Sequence, residues 1–130
     1  MYRILLSLLF TTSLLAKENI FVQEYTYQVS EYDSKVTSRD NALEQVKRLL
    51  LEEASVFFIN EVDWTKGETS IDGKYIHKDF YEQNIKSIIA GITEINIIYQ
   101  FWNMKTYLLK GMIILDTDDV REKIKKIIDK

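Results

Sequence analysis

The stretch Asp33-Ser34-Lys35-Val36-Thr37-Ser38-Arg39, running by way of Asp40 into Asn41-Ala42-Leu43-Glu44-Gln45-Val46-Lys47-Arg48-Leu49-Leu50-Leu51-Glu52-Glu53-Ala54, decides the architecture. Apolar side chains fall at Val36, Leu43, Val46, Leu50, Ala54 and Phe57, with Ala42, Leu49 and Phe58 widening the stripe. That spacing belongs to a helix that lays one face on a core. Asp33, Ser34, Thr37 and Ser38 each carry an oxygen able to accept a bond from a free helical N–H, so the helix can start at any of them. A helix from Thr37 to Asn60 would be about 36 Å long at 1.5 Å per residue. Its natural partner is a sheet, with Leu43, Val46 and Leu50 facing it. On the outer side Glu44 and Arg48 stand four residues apart with the acid first, the favourable order for a pair.

Upstream, Ile20 to Val29 alternates. Phe21, Gln23, Tyr25, Tyr27 and Val29 share one face, and Val22, Glu24, Thr26 and Gln28 the other, which predicts a strand. Downstream, Glu61 to Gly73 carries turn signals at Lys66-Gly67 and Asp72-Gly73 and is expected to form a loop or a weak edge hairpin. Tyr81, Ile85, Ile88, Ile89 and Ile92 predict a second helix over about Lys78 to Ala90, with Gly91 as a left-handed stop. Ile95, Ile97, Tyr99 and Phe101 alternate against Glu94, Asn96, Ile98 and Gln100 as a second strand. A turn at Asn103-Met104-Lys105 leads to a third, with Tyr107, Leu109, Ile113 and Leu115 inward. Gly111 within that strand calls for a bulge or for the close approach of a helix. Asp116 to Asp119 open a last helix whose acids precede Lys123, Lys125 and Lys126, the order that suits its dipole.

The fold class expected is therefore α+β, in the order β-α-α-β-β-α. A three-stranded, mainly antiparallel sheet carries one long and two shorter helices on one face.

Composition agrees with a packed globule. Apolar residues make up 46% of the 130, cysteine and proline are absent, and glycine occurs four times. Regular elements with short connections follow. With a formal net charge of −3 the chain lacks a general attraction for phosphate backbones, and nucleic acid is not an expected partner. Met1-Tyr2-Arg3 and the apolar run Ile4 to Leu15, closing on Ala16, have the form of a signal peptide. The run falls short of the roughly 20 apolar residues that a bilayer span takes. Residues 1–16 are thus expected to be a signal and 17–130 a single α+β domain, periplasmic or secreted from a bacterium, with no stable membrane span after cleavage.

No catalytic constellation stands out. His77 is the only histidine and has no neighbouring base in sequence. Asp116, Asp118 and Asp119 lack the central glycine and closing glutamate of a calcium loop and read as a helix start. The hydroxyls of Ser30, Ser34, Thr37 and Ser38 have no glycine elbow and read as caps. No metal, cofactor or enzymatic activity is expected. Lys35, Arg39, Lys47 and Arg48 give the long helix a basic character, and Tyr25, Tyr27 and Trp102 are candidate aromatic platforms; such a set suits a small ligand, an anionic glycan or a partner protein. Ile98 and Trp102, on the face opposite the core in the predicted hairpin, are candidates for an interaction surface.

The strand Tyr25-Thr26-Tyr27-Gln28-Val29-Ser30, then Asp33-Ser34-Lys35 with Arg39 and Ala42 entering a Leu-rich helix, resembles a recurrent bacterial envelope domain. Ala90-Gly91-Ile92 turning into a strand, the Trp102-Asn103 turn and the strand closing on Asp116 belong to the same likeness. The pattern is similar to the N-terminal domain of the flagellar assembly protein T and to related small envelope-lipoprotein domains. The resemblance implies a small module for assembly or scaffolding at the cell envelope, working through an envelope protein partner.

Overall fold

A computed structural model describes residues 18–130; the expected signal segment lies outside them. Strand β1 (Glu18–Gln28) is followed by the long helix α1 (Lys35–Ile59). Strands β2 (Glu68–Ile71) and β3 (Lys74–His77), helix α2 (Lys78–Ile92), strands β4 (Asn96–Trp102) and β5 (Thr106–Asp116), and helix α3 (Thr117–Ile128) complete the order. β1, β5 and β4 form an antiparallel sheet with β5 in the middle, and β2 and β3 form a separate hairpin. The fold is α+β as expected, but the hairpin adds two strands to the expected order: residues 61–67 remain a connection, and the hairpin starts at Glu68, has its second strand beyond Gly73 and stands apart from the three-stranded sheet instead of at its edge. Asp72 and Gly73 both sit at positive φ in its turn, the backbone that a two-residue hairpin connection requires.

α1 begins where a capping box closes. The Ser34 hydroxyl accepts from the Thr37 amide at 3.1 Å and the Thr37 hydroxyl accepts from the Ser34 amide at 2.8 Å, satisfying two N–H groups that the first turn leaves free. The helix lies across β1 and β5, and α2 packs on α1 and α3. Val46 and Leu50 are buried against the sheet together with Ala42, Ala54 and Phe58. Leu43 is only partly buried, and Val36, one turn before the buried stripe begins, is exposed. The outer-face pair also differs from expectation: Glu44 meets Lys47 at 3.6 Å, while Arg48 donates to Gln45 at 2.6 Å.

Gly111 explains how close the helix comes. A Cβ built there would lie 2.9 Å from Val46 Cγ1 and 3.2 Å from Ile95 Cγ2, so a bare backbone lets α1 settle on the central strand. Gly91, by contrast, is not a stop. It lies inside α2 without a positive φ, and the helix ends at Ile92, where Thr93 takes extended backbone.

Polar contacts hold the ends together. Asp116 caps α3 by accepting from the Asp119 amide at 3.1 Å, and Asp118 and Asp119 pair with Arg121 and Lys123 one turn on. Those acids therefore serve the helix start, as their sequence pattern implies. Arg121 also grips both carboxylate oxygens of Glu61, tying α3 to the end of α1. Trp64 donates its indole N–H to the Ile59 carbonyl at 2.9 Å and meets Tyr81 edge-on, which fastens the segment after α1 to α2.

Candidate functional site

A register shift decides which side chains reach solvent. Ile97 pairs with Gly111 and Tyr99 with Lys110, so Ile98 and Tyr99 together oppose one residue of β5. Such a bulge reverses the alternation of everything beyond it. Tyr99 and Phe101, expected inward, turn to the side of the sheet away from the helices. Gln100 and Trp102 turn to the helical side. There the Tyr107 hydroxyl donates to Gln100 Oε1 at 2.5 Å, Arg39 donates to the same oxygen at 3.2 Å, and the Trp102 ring lies 6.0 Å from that of Tyr107. Ile98 is exposed as expected; Trp102 is half-buried and does not share its face.

The face of the sheet away from the described helices carries a group of exposed apolar side chains. Ile20 and Val22 of β1, Ile98, Tyr99 and Phe101 of β4 and Ile114 of β5 are between 39% and 58% exposed. Leu108 and Met112 lie between them on the central strand, partly exposed. Glu24 and Lys110 stand opposite each other in the register of β1 and β5, near the middle of that face. Antiparallel sheets commonly leave one face in water, but that face is then polar, and contiguous apolar surface on such a face marks a contact site.

The other tentative binding residues lie on the helical side. Tyr25 and Tyr27 pack against the core from β1. The Tyr27 hydroxyl donates to Asp33 Oδ2 at 2.8 Å and accepts from Asn41 at 3.2 Å, so it is occupied in fixing the junction between β1 and α1. Asp33 also accepts from the Ser30 amide and hydroxyl, both at 2.9 Å, and from Thr37. The Ser30 amide first, then the Tyr27 hydroxyl, hold its carboxyl down at about 2. Tyr27, Tyr107 and Trp102 form one row across the three strands. At the Trp102 end of the row, Lys35, Arg39, Gln100 and Trp102 line a cleft of about 360 Å³. The structure thus brings Trp102 together with Lys35 and Arg39, and leaves Tyr25 and Tyr27 out of that cleft.

His77 ends β3 exposed, its Nδ1 3.4 Å from Glu68 Oε1 across the hairpin. Among the described residues no group of three or more histidine or acidic side chains is placed to hold a metal ion, and no helix is long and apolar enough to cross a membrane.

Tyr99, Phe101 and Ile114 are the surface residues that the strand pattern misses. The signal for Ile114 was present, since Met112 and Ile114 put apolar side chains on the outward positions of β5. For Tyr99 and Phe101 it was not, because β4 is apolar on both faces. Comparison of the chain with protein-family models, with curated proteins and with solved structures gives no match.

Proposed function

We propose that the protein is a non-enzymatic, exported interaction module of the bacterial cell envelope, and that it docks through the open face of its three-stranded sheet. The observation that carries this reading is the exposure of Ile20, Ile98, Tyr99, Phe101 and Ile114 on one continuous face that the protein's own helices leave bare. The fitting partner is another protein whose surface is apolar at its centre and bears charges complementary to Glu24 and Lys110. The signal-like N-terminus and the resemblance to envelope assembly domains support the setting. Photocrosslinking from position 99 in intact cells is expected to recover one defined envelope protein. Ile114→Lys and Phe101→Glu are expected to abolish that product while the fold persists. Recovery of monomer alone, or of a product indifferent to both substitutions, would overturn the reading.

A second reading has its own support in the grouping of Lys35, Arg39 and Trp102 around one cleft. Two cations beside a half-buried indole suit a sugar that stacks on the ring and carries a carboxylate. Titration with uronic-acid oligosaccharides, followed by tryptophan emission, is expected to give a saturable change that Trp102→Phe removes. Trp64 lies elsewhere, on Tyr81. An unchanged spectrum would end this alternative.

A further inference from the structure

A second recess lies under the sheet, on the helical side. β4 has β5 as its one substantial neighbour, since α1 crosses β1 and β5 and α2 packs on α1 and α3. The space left beside the start of β4 is a cleft of about 590 Å³, within the range of small-molecule sites. Its accessible walls are the partly exposed Leu43 and Leu51 of α1 with Ile95 and Ile97 at the start of β4, over a floor formed by the buried Leu50, Ile89 and Ile113. Every one of those side chains is a branched aliphatic. No ring and no hydrogen-bonding group is offered by them, so the wall recognises hydrocarbon by area alone.

Polar groups are confined to three lining positions, Lys47, Thr93 and Glu94. The Lys47 side chain is 48% exposed, and among the described residues its ion pair is the 3.6 Å contact with Glu44 on its own helix. Such an exposed pair is worth little and yields readily to a better acceptor. The Thr93 hydroxyl oxygen is buried without a hydrogen-bond partner, a state that ordinarily costs stability. The exposed carboxylate of Glu94 repels an anionic head group in proportion to its charge, so of the anionic heads a single carboxylate held at Lys47 is opposed least.

We infer that this cleft binds a linear acyl chain with a single carboxylate head, the chain lying along Leu43, Leu51, Ile95 and Ile97 and the carboxylate meeting Lys47. The site is separate from the open sheet face and does not depend on docking there.

The full chain is to be titrated with octanoate, decanoate, dodecanoate and dodecanol by calorimetry, with amide and methyl NMR shifts locating the site. Affinity is expected to rise about fourfold for each added methylene until the cleft is filled, the factor that corresponds to burial of one CH₂. Shifts should centre on Ile89, Ile95 and Ile97. Lys47→Gln should weaken dodecanoate about tenfold and leave dodecanol unchanged. Ala90→Trp, at an exposed position of the rim, should block both without loss of the fold. Binding that does not saturate, that ignores Ala90→Trp, or that shifts Ile20 and Ile114 on the open face instead would overturn the inference. Equal loss of dodecanoate and dodecanol in Lys47→Gln would overturn the carboxylate assignment.

Discussion

Val46 Cγ1 occupies the place that a side chain on Gly111 would need, 2.9 Å from where its Cβ would stand. Val46 is fully buried, and its branched side chain has one strongly preferred rotamer on a helix, so it has nowhere to turn. Gly111→Ala is therefore expected to destabilise the protein by about 1–3 kcal/mol, the usual cost of overpacking. Urea unfolding measures it. Adding Val46→Ala should recover part of that loss, so the double variant should be less destabilised than the two singles added together.

Leu50 and Leu43 separate the buried face of α1 from its flank. Leu50 is 1% exposed, whereas Leu43 is only partly buried at the edge of the acyl cleft. Leu50→Ala should cost about 2–5 kcal/mol. Leu43→Ala should cost clearly less. Thermal unfolding of the pair checks the rotation of the helix, and equal losses would contradict it.

Asp33 makes stability depend on acid pH. Its carboxyl is held at about 2 against an ordinary 3.8 by bonds that only the folded chain supplies. A depressed folded value means stabilisation that is complete above the unfolded value and is lost as pH falls through the folded one. The unfolding free energy should therefore fall between about pH 4 and pH 2. In Asp33→Asn that part of the slope should vanish. Tyr27→Phe removes one of the bonds and should shift the fall to higher pH.

The open face predicts a separation of stability from binding. Ile20 and Ile114 are 58% and 44% exposed, so Ile20→Lys and Ile114→Lys should each change stability by no more than about 0.5 kcal/mol. Partner capture should be lost all the same. Circular dichroism melts beside the crosslinking assay would show both.

Where a segment has a polar side and an apolar side, its place was legible. The alternation of Phe21 through Tyr27, the stripe through Val46 and Leu50, the Tyr81, Ile85 and Ile89 series and the inward Tyr107 to Leu115 all fall where the pattern puts them. β4 is different. Ile97-Ile98-Tyr99 and Phe101-Trp102 are apolar on either side, so burial cannot fix the register, and a one-residue bulge moved Trp102 inward and Phe101 outward. Gly91 misled for a related reason: a glycine at a helix end and one inside a helix look alike in sequence, and only the backbone angle tells them apart. The clefts were illegible because each draws its walls from helix and sheet segments far apart along the chain. Lys35, Arg39 and Trp102 could be named as types but not placed together.

The pairing of β1 with β5 has a consequence for the order in which the protein assembles. Among the described residues β1 pairs with β5 alone, and Glu18 aligns with Asp116, roughly a hundred residues later. β1 must wait for roughly a hundred further residues before β5 gives it a hydrogen-bonded neighbour. α1 likewise finds one of its two supporting strands, β5, only roughly fifty residues after its own end. Closing so long a loop before any sheet contact rewards it makes folding slow.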